Sequence, residues 1–174
     1  SGHFVELTNI GASITKISLA DRSGEHRDVV LGFADPRSYL DNSYFLGCVL
    51  GRNAGRIEGG VFEIDKQKFI LEKNNDGNNL HGGKSSLSTR VFSHRYDEKK
   101  NILYFEAKSV HNEGGFPGNV VVEIAYSFSD TNKLKIDYTA STDKATIINL
   151  SNHSYFNLNG HGNETVDNHF FKFH

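Results

Sequence analysis

Residues 120–128 read VVVEIAYSF and carry large apolar side chains at every second position. The intervening positions are mostly smaller or polar. A period of two is typical of a β-strand with one face buried and the other facing solvent. Residues 133–139 repeat the alternation, and the turn-forming residues 130–132 lie between the two runs. We therefore predict a β-hairpin over 119–140.

Short strands of the same kind extend on both sides of this hairpin. Turn-rich sequence separates them, as at 74–79, which read NNDGNN. No long stretch has a period of 3.6 residues, and 35–44 has room for one short helical turn. Many short strands with few helices indicate an all-β fold, either an antiparallel β-sandwich or a barrel-like architecture. The further strands are predicted at 3–8, 12–20, 27–32, 61–64, 67–72, 91–96, 102–109 and 145–150.

Length and composition exclude several classes of protein. The 174 residues are enough to bury the core of a single domain. With 19 Lys and Arg against 21 Asp and Glu, the net charge of −2 predicts no nucleic-acid partner. No apolar run approaches the roughly 20 residues that span a bilayer, so no membrane association is expected. The single cysteine, Cys48, cannot form an internal disulfide.

Three polar, glycine-rich segments interrupt the strand pattern. They read GRNAGRI at 51–57, NLHGG at 79–83 and NLSNHSYFNL at 149–158. Arginine, histidine, asparagine and tyrosine suit a neutral ligand rich in hydroxyl groups, and histidine transfers protons near neutral pH. These segments predict carbohydrate binding or acid–base chemistry. Purely structural roles as surface or turn residues stay open for Arg56, His81 and Asn152.

Other chemistries are less well supported by the sequence. Gly77 and the run 83–85 approach a phosphate-binding P-loop, but five residues separate the first glycine from the Gly-Lys pair where the motif needs four. His153, His161 and His169 recur at intervals of eight, which defines no metal-coordination geometry. No Gly-x-Ser-x-Gly motif of a serine hydrolase is present. No metal site is therefore predicted.

Taken together and in this order, the polar segments resemble those of the aldose 1-epimerase (galactose mutarotase) family. The resemblance lies in GRxAxRI at 51–57, NLHGG at 79–83 and NHSYFNL at 152–158. DVVLGF at 28–33 and EGGFPG at 113–118 support it. It covers essentially the whole chain and identifies it as similar to the N-terminal half of the family.

The resemblance implies a fold and a reaction. The family fold is a large antiparallel β-sandwich. Its enzymes interconvert the α and β anomers of hexoses such as galactose and glucose without a cofactor. A base takes the proton of the C1 hydroxyl while an acid protonates the ring oxygen, and the opened ring closes on its other face. Whether the sugar carries a phosphate stays open, with Arg52, Lys84 and Arg90 as candidate basic residues at the pocket rim.

The resemblance also assigns roles to individual residues. His153 matches the general acid, and His81 matches a second active-site histidine that binds the sugar and assists proton transfer. Arg56 matches the substrate-binding arginine, and Tyr155 lies in the segment that shapes the pocket. Gly55 stands where the family usually has asparagine, so one polar contact is expected to be lost.

Family members are considerably longer than this chain, and their general base is a glutamate near the C-terminus. No counterpart exists within 1–174. We expect these residues to form the N-terminal part of a single β-sandwich domain, incomplete at its C-terminus, and to be inactive in isolation. The alternative is a non-catalytic carbohydrate-binding or interaction module. Uncovered strand edges and an uncovered apolar sheet face predict self-association.

Three N-glycosylation sequons occur, at 149–151, 152–154 and 163–165. A glycan on Asn152 would lie beside the predicted acid and block the pocket. Together with the unpaired Cys48, this predicts a cytoplasmic protein.

Overall fold

In the computed structural model, which describes residues 2–163 and 165–173, the chain consists almost entirely of β-strands and turns. Within these residues no helix is long and apolar enough to cross a membrane. The helical segments are short 3₁₀ turns at Pro36–Asp41, Glu58–Gly60, Leu87–Thr89 and Glu113–Gly115. The strands are β1 (Phe4–Thr8), β2 (Ser13–Ala20), β3 (His26–Asp28), β4 (Val49–Leu50), β5 (Arg56–Ile57), β6 (Val61–Ile64), β7 (Gln67–Ile70), β8 (Asn79–Leu80), β9 (Ser93–Asp97), β10 (Ile102–Ser109), β11 (Val120–Phe128), β12 (Leu134–Thr142) and β13 (Ser151–Asn152).

Two antiparallel sheets carry most of these strands. The larger has the order β12-β11-β10-β9, and the smaller has the order β1-β2-β3. The predicted hairpin is confirmed as β11 and β12, whose register runs from Val120 opposite Thr142 to Phe128 opposite Leu134. The remaining strands form the short pairs β13-β4, β5-β8 and β6-β7.

The hydrophobic core lies between the two sheets. Val122 and Ile124 of β11 and Ile14 of β2 are almost completely buried and belong to the same cluster of apolar side chains. Burial of each such side chain contributes about 1.5–3 kcal/mol to stability. Tyr126, also in the core, donates its hydroxyl proton to the carbonyl oxygen of Ala12 at 2.7 Å, and burial raises its pKa. The predicted all-β antiparallel sandwich is confirmed.

The other predicted strands are present at about the expected places, with shifted ends. The segment predicted at 27–32 is shorter, since β3 ends at Asp28. The predicted helical turn begins after Asp35, whose carboxylate accepts a hydrogen bond from the backbone N–H of Arg37 at 2.9 Å and so caps the turn.

The strand predicted at 145–150 is wrong. Only Asn149 of this segment pairs, in an isolated parallel bridge with Asn53, and β13 begins at Ser151. The backbone N–H of Asn149 donates to the carbonyl oxygen of Arg52 at 2.8 Å. The segment therefore lies against an irregular loop rather than a strand, and its apolar run does not form a ladder.

The side chain of Arg52 is buried and holds this loop in place. Its guanidinium donates to the hydroxyl and carbonyl oxygens of Ser109 and to the carbonyl oxygens of Val110, Pro117 and Gly118, at 2.7–3.0 Å. Burial lowers its pKa. The hypothesis that Arg52 lies at a pocket rim is therefore wrong, because its donors face the interior, where carbonyl oxygens satisfy them.

Candidate active site

His153 is held by the strand pair β13-β4. Its backbone N–H donates to the carbonyl oxygen of Cys48 at 2.9 Å, and its carbonyl oxygen accepts from the N–H of Gly47 at 3.2 Å. The Asn152 amide donates to the carbonyl oxygen of Gly47 at 2.7 Å and accepts from the N–H of Ser154 at 2.9 Å. The backbone on both sides of His153 is therefore fixed.

His81 follows the second short strand pair, β5-β8, in which Arg56 is opposite Leu80. The backbone N–H of His81 donates to the carbonyl oxygen of Gly55 at 3.0 Å. In return, the N–H of Gly55 donates to Nδ1 of the His81 ring, also at 3.0 Å. Both the backbone and the ring of His81 are thus tied to Gly55.

Gly82 brings the histidine turn against the Arg52 loop. It has a φ of +92°, and a Cβ atom there would lie 2.1 Å from the carbonyl oxygen of Gly51. No side chain fits at that distance, so the sequence His81-Gly82 needs glycine for this close approach.

The two histidine rings meet in one aromatic cluster. The centroids of His81 and His153 are 5.4 Å apart, with the rings nearly perpendicular at 81°. Phe45 packs against both, at 4.8 Å from His81 and 5.8 Å from His153. Tyr155 lies 4.9 Å from His153, and its hydroxyl donates to the carbonyl oxygen of Tyr44 at 3.1 Å. Three of the four predicted site residues therefore lie together.

Sequence reasoning did not identify Phe45. Asn42 shapes its turn, accepting from the N–H of Leu46 at 2.8 Å and donating to its carbonyl oxygen at 2.9 Å. Phe45 itself has a φ of +59°. The sequence offers one signal, an aromatic residue three positions after a turn-forming asparagine. This signal does not predict contact with residues far along the chain.

Arg56 lies at the exposed edge of the site. Its Nε donates to the side-chain oxygen of Asn75 at 2.9 Å, which directs the guanidinium toward the turn at 74–79. The strand register places Arg56 beside the residue that precedes His81, and its positive charge contributes to the low pKa of that histidine.

The electrostatics of the site favour a neutral His81. Burial, followed by the positive charges of His153 and Arg56, lowers the pKa of His81 to about 4. In the part of the chain that the structure describes, Nε2 of His81 and both ring nitrogens of His153 have no hydrogen-bond partner. No carboxylate among those residues forms an ion pair with either ring. These nitrogens are therefore available to a ligand.

The other two histidines of the eight-residue series, His161 and His169, contact other residues than His153 does. Nδ1 of His161 is 3.7 Å from a carboxylate oxygen of Asp28, and Nε2 of His169 accepts from the N–H of Leu158 at 2.8 Å. Over residues 2–163 and 165–173, no group of three potential metal-ligating side chains occurs.

Comparison with known proteins places the chain in a family. The family model described as aldose 1-epimerase matches residues 2–174. Galactose mutarotase from Homo sapiens is 36% identical over 165 residues, which are 95% of this chain and 47% of that protein. Aldose 1-epimerase from Escherichia coli is 33% identical over 169 residues, or 97% of this chain and 48% of that protein. The chain belongs to the aldose 1-epimerase family.

Solved structures agree with this assignment. An aldose epimerase homologue from C. elegans superimposes with a TM-score of 0.86 at 28% identity, over 91% of this chain and 49% of that one. Galactose 1-epimerase from Lactobacillus acidophilus gives a TM-score of 0.81 at 28% identity, over 90% and 46% respectively. The chain spans about half the length of the relatives it matches.

The close approach at Gly82 predicts a stability difference between two glycine substitutions. Gly77 has a φ of +81°, but nothing lies within 4 Å of a Cβ atom there. Gly77→Ala should cost about 1 kcal/mol of unfolding free energy, from its backbone conformation alone. Gly82→Ala should cost at least ~2 kcal/mol more, because the loop at Gly51 must move. Urea unfolding measures both, and equal losses would contradict the packing described here.

Proposed function

We propose that residues 1–174 carry the acid side of an aldose 1-epimerase active site, as the N-terminal part of a single β-sandwich domain. The substrates are hexoses such as galactose and glucose, and the reaction needs no cofactor. The observation that supports this most directly is the pair of histidine rings 5.4 Å apart, in which Nε2 of His81 and both ring nitrogens of His153 have no hydrogen-bond partner among the described residues. The reaction consists of proton transfers, and imidazole is the side chain best suited to them near neutral pH.

His153 acts as the general acid and protonates the ring oxygen of the sugar. Its backbone is fixed by the pairing with Gly47 and Cys48, while its ring carries no hydrogen bond to the described residues. Packing against Phe45, His81 and Tyr155 holds the ring in place, as positioned acid catalysis requires. His81 binds the sugar beside it.

Arg56 and Tyr155 complete the sugar-binding residues. The Tyr155 ring is 41% exposed and packs against His153, so it offers an apolar surface to one face of the sugar ring. Arg56 is held by Asn75 at the edge of the site and has further N–H groups with which to donate to hydroxyl oxygens.

The general base lies outside this set of residues. No described carboxylate forms an ion pair with His81 or His153, which supports a base that lies elsewhere in the family fold. We place the base in the half of the family fold that this chain does not match. The same observation favours, for the isolated chain, the second candidate function: a carbohydrate-binding module without turnover.

We also propose a cytoplasmic location for this protein. Asn149 and Asn152 of two sequons use their side-chain amides in hydrogen bonds, to the carbonyl oxygens of Ala54 at 3.0 Å and Gly47 at 2.7 Å. A glycan attached to either nitrogen would disrupt the loop that holds the site. The fold therefore requires that these asparagines stay unmodified, as they do in the cytoplasm.

We further propose that the isolated chain associates with a second copy of itself. Within the described residues β12 pairs on one side only, with β11, and therefore presents an open strand edge. Leu158, Phe170 and Phe171 are 66%, 97% and 86% exposed. Apolar surface of this extent favours association.

The role of His153 predicts the outcome of a chimera experiment. Residues 2–174 are joined to the part of the Escherichia coli aldose 1-epimerase that they do not match, and mutarotation of α-galactose is followed by polarimetry. The chimera should exceed the buffer rate, and His153→Ala should lower its rate by roughly 10²–10⁴-fold, the usual contribution of a general acid. The matched control is His94→Ala, since His94 lies on β9 outside the site.

The isolated chain provides the complementary test. It should mutarotate galactose at the buffer rate, while galactose shifts the ring NMR signals of His153. A rate clearly above buffer that His153→Ala abolishes would show that the base is within 1–174. A chimera that unfolds cooperatively but keeps its rate in His153→Ala would contradict the assignment of the acid.

The proposed self-association is tested by size-exclusion chromatography with light scattering. The chain should elute as a dimer or larger species, and the double change Phe170→Ser and Phe171→Ser should shift it toward monomer. Val110→Ser, at a side chain 59% exposed elsewhere, is the control and should leave the distribution unchanged. A monomer at all concentrations would refute the proposal.

A further inference from the structure

The hydrogen bond between Gly55 and His81 fixes where the imidazole proton lies. The backbone N–H of Gly55 approaches Nδ1 at 3.0 Å, and a backbone N–H can only donate. Nδ1 must therefore be the unprotonated nitrogen. A neutral imidazole then carries its proton on Nε2, on the other edge of the ring.

A second bond between the same residues fixes the ring in space. The N–H of His81 donates to the carbonyl oxygen of Gly55 at 3.0 Å, so both polar backbone groups of Gly55 are used on this one residue. Both residues have a positive φ, +88° for Gly55 and +54° for His81. We call this two-bond arrangement the Gly55–His81 clamp.

Burial and the neighbouring positive charges disfavour the charged form of the His81 ring. His153 lies across the cluster at 5.4 Å between ring centroids, and Phe45 contacts the ring from 4.8 Å. Arg56 adds a positive charge from the neighbouring strand, and no carboxylate compensates it in the described residues. Protonation at Nδ1 would also set two N–H groups against each other. The lowered pKa of His81, about 4, agrees with this geometry because both favour the neutral ring.

We propose that His81 is a permanently neutral hydrogen-bond donor, which the clamp orients to present Nε2–H to a sugar oxygen, and that it transfers no proton. This rests on the proposed function for the identity of the ligand. Gly55 is then a positioning residue, acting through His81. The two histidines have different roles, because His153 has no such clamp and both its ring nitrogens are without protein partners in the described residues.

The protonation state is tested on the isolated chain by NMR with ¹⁵N-labelled histidine. At pH 7 the His81 ring should show a protonated Nε2 and an unprotonated Nδ1, and its signals should stay constant between pH 8 and pH 5.5, above its pKa of about 4. A protonated Nδ1, or a titration midpoint near the ordinary histidine value of about 6.5, would overturn the proposal. This readout needs neither sugar nor activity.

The donor role is tested in the chimera by two amide substitutions. The amide nitrogen of Gln reaches the position of Nε2, whereas that of Asn reaches only the position of Nδ1. His81→Gln should keep KM for galactose within about threefold, while His81→Asn should raise it about tenfold, the loss of one hydrogen bond of about 1.4 kcal/mol. Equal KM values for the two variants would overturn the donor role.

The two tests separate this proposal from the proposed function. If the chimera lacks mutarotase activity but His81 has the predicted tautomer, the proposed function fails and the clamp is supported. If the chimera is active and His81 titrates near pH 6.5, the proposed function is supported and the clamp is overturned.

Discussion

The site depends on the hydrogen bonds that one segment, residues 47–55, makes on two sides. This segment contains β4 and continues as the irregular loop at Arg52. At its beginning, Gly47 and Cys48 pair with the backbone of His153. At its end, Gly55 binds both the backbone and the ring of His81. The histidine-bearing segments are far apart in the sequence, so their contact requires that residues 47–55 keep one conformation. A displacement of either end would separate the rings.

The buried guanidinium of Arg52 gives this irregular loop its rigidity. Regular strands satisfy their backbone groups by pairing, but a loop in the interior must find other partners. Here a side chain extends from the loop and donates to carbonyl oxygens of 109–118, while the carbonyl oxygen of Arg52 accepts from Asn149. A charged group with this many hydrogen bonds is costly to disrupt, because each freed carbonyl oxygen would remain buried without a donor. This chain thus holds a polar site on an all-β scaffold.

Much of the sandwich is predictable because its four longest strands, β2, β10, β11 and β12, alternate in polarity or lie between clear turn signals. The burial pattern of β11 follows its sequence from Val120 to Tyr126, and only Phe128 at its end is less buried than the alternation predicts. The mostly apolar run at 147–150 suggests a strand, but it pairs with the irregular loop at Arg52. No local feature of the sequence indicates this partner. The resemblance predicts His81 and His153 as site residues, and their rings lie 5.4 Å apart. The contact of Phe45 with both rings could not be predicted. That contact depends on a turn brought to the site by tertiary packing.

Residues 1–174 bring His81 and His153 into one site without the rest of the family fold. A nuclear Overhauser spectrum of the isolated chain, with assigned histidine and phenylalanine rings, tests this arrangement. Ring centroids 5.4 Å apart predict cross-peaks between the His81 and His153 rings, and between Phe45 and each of them. A well-dispersed spectrum of the folded chain in which His81 and His153 share no cross-peak would show that the two rings do not form one site.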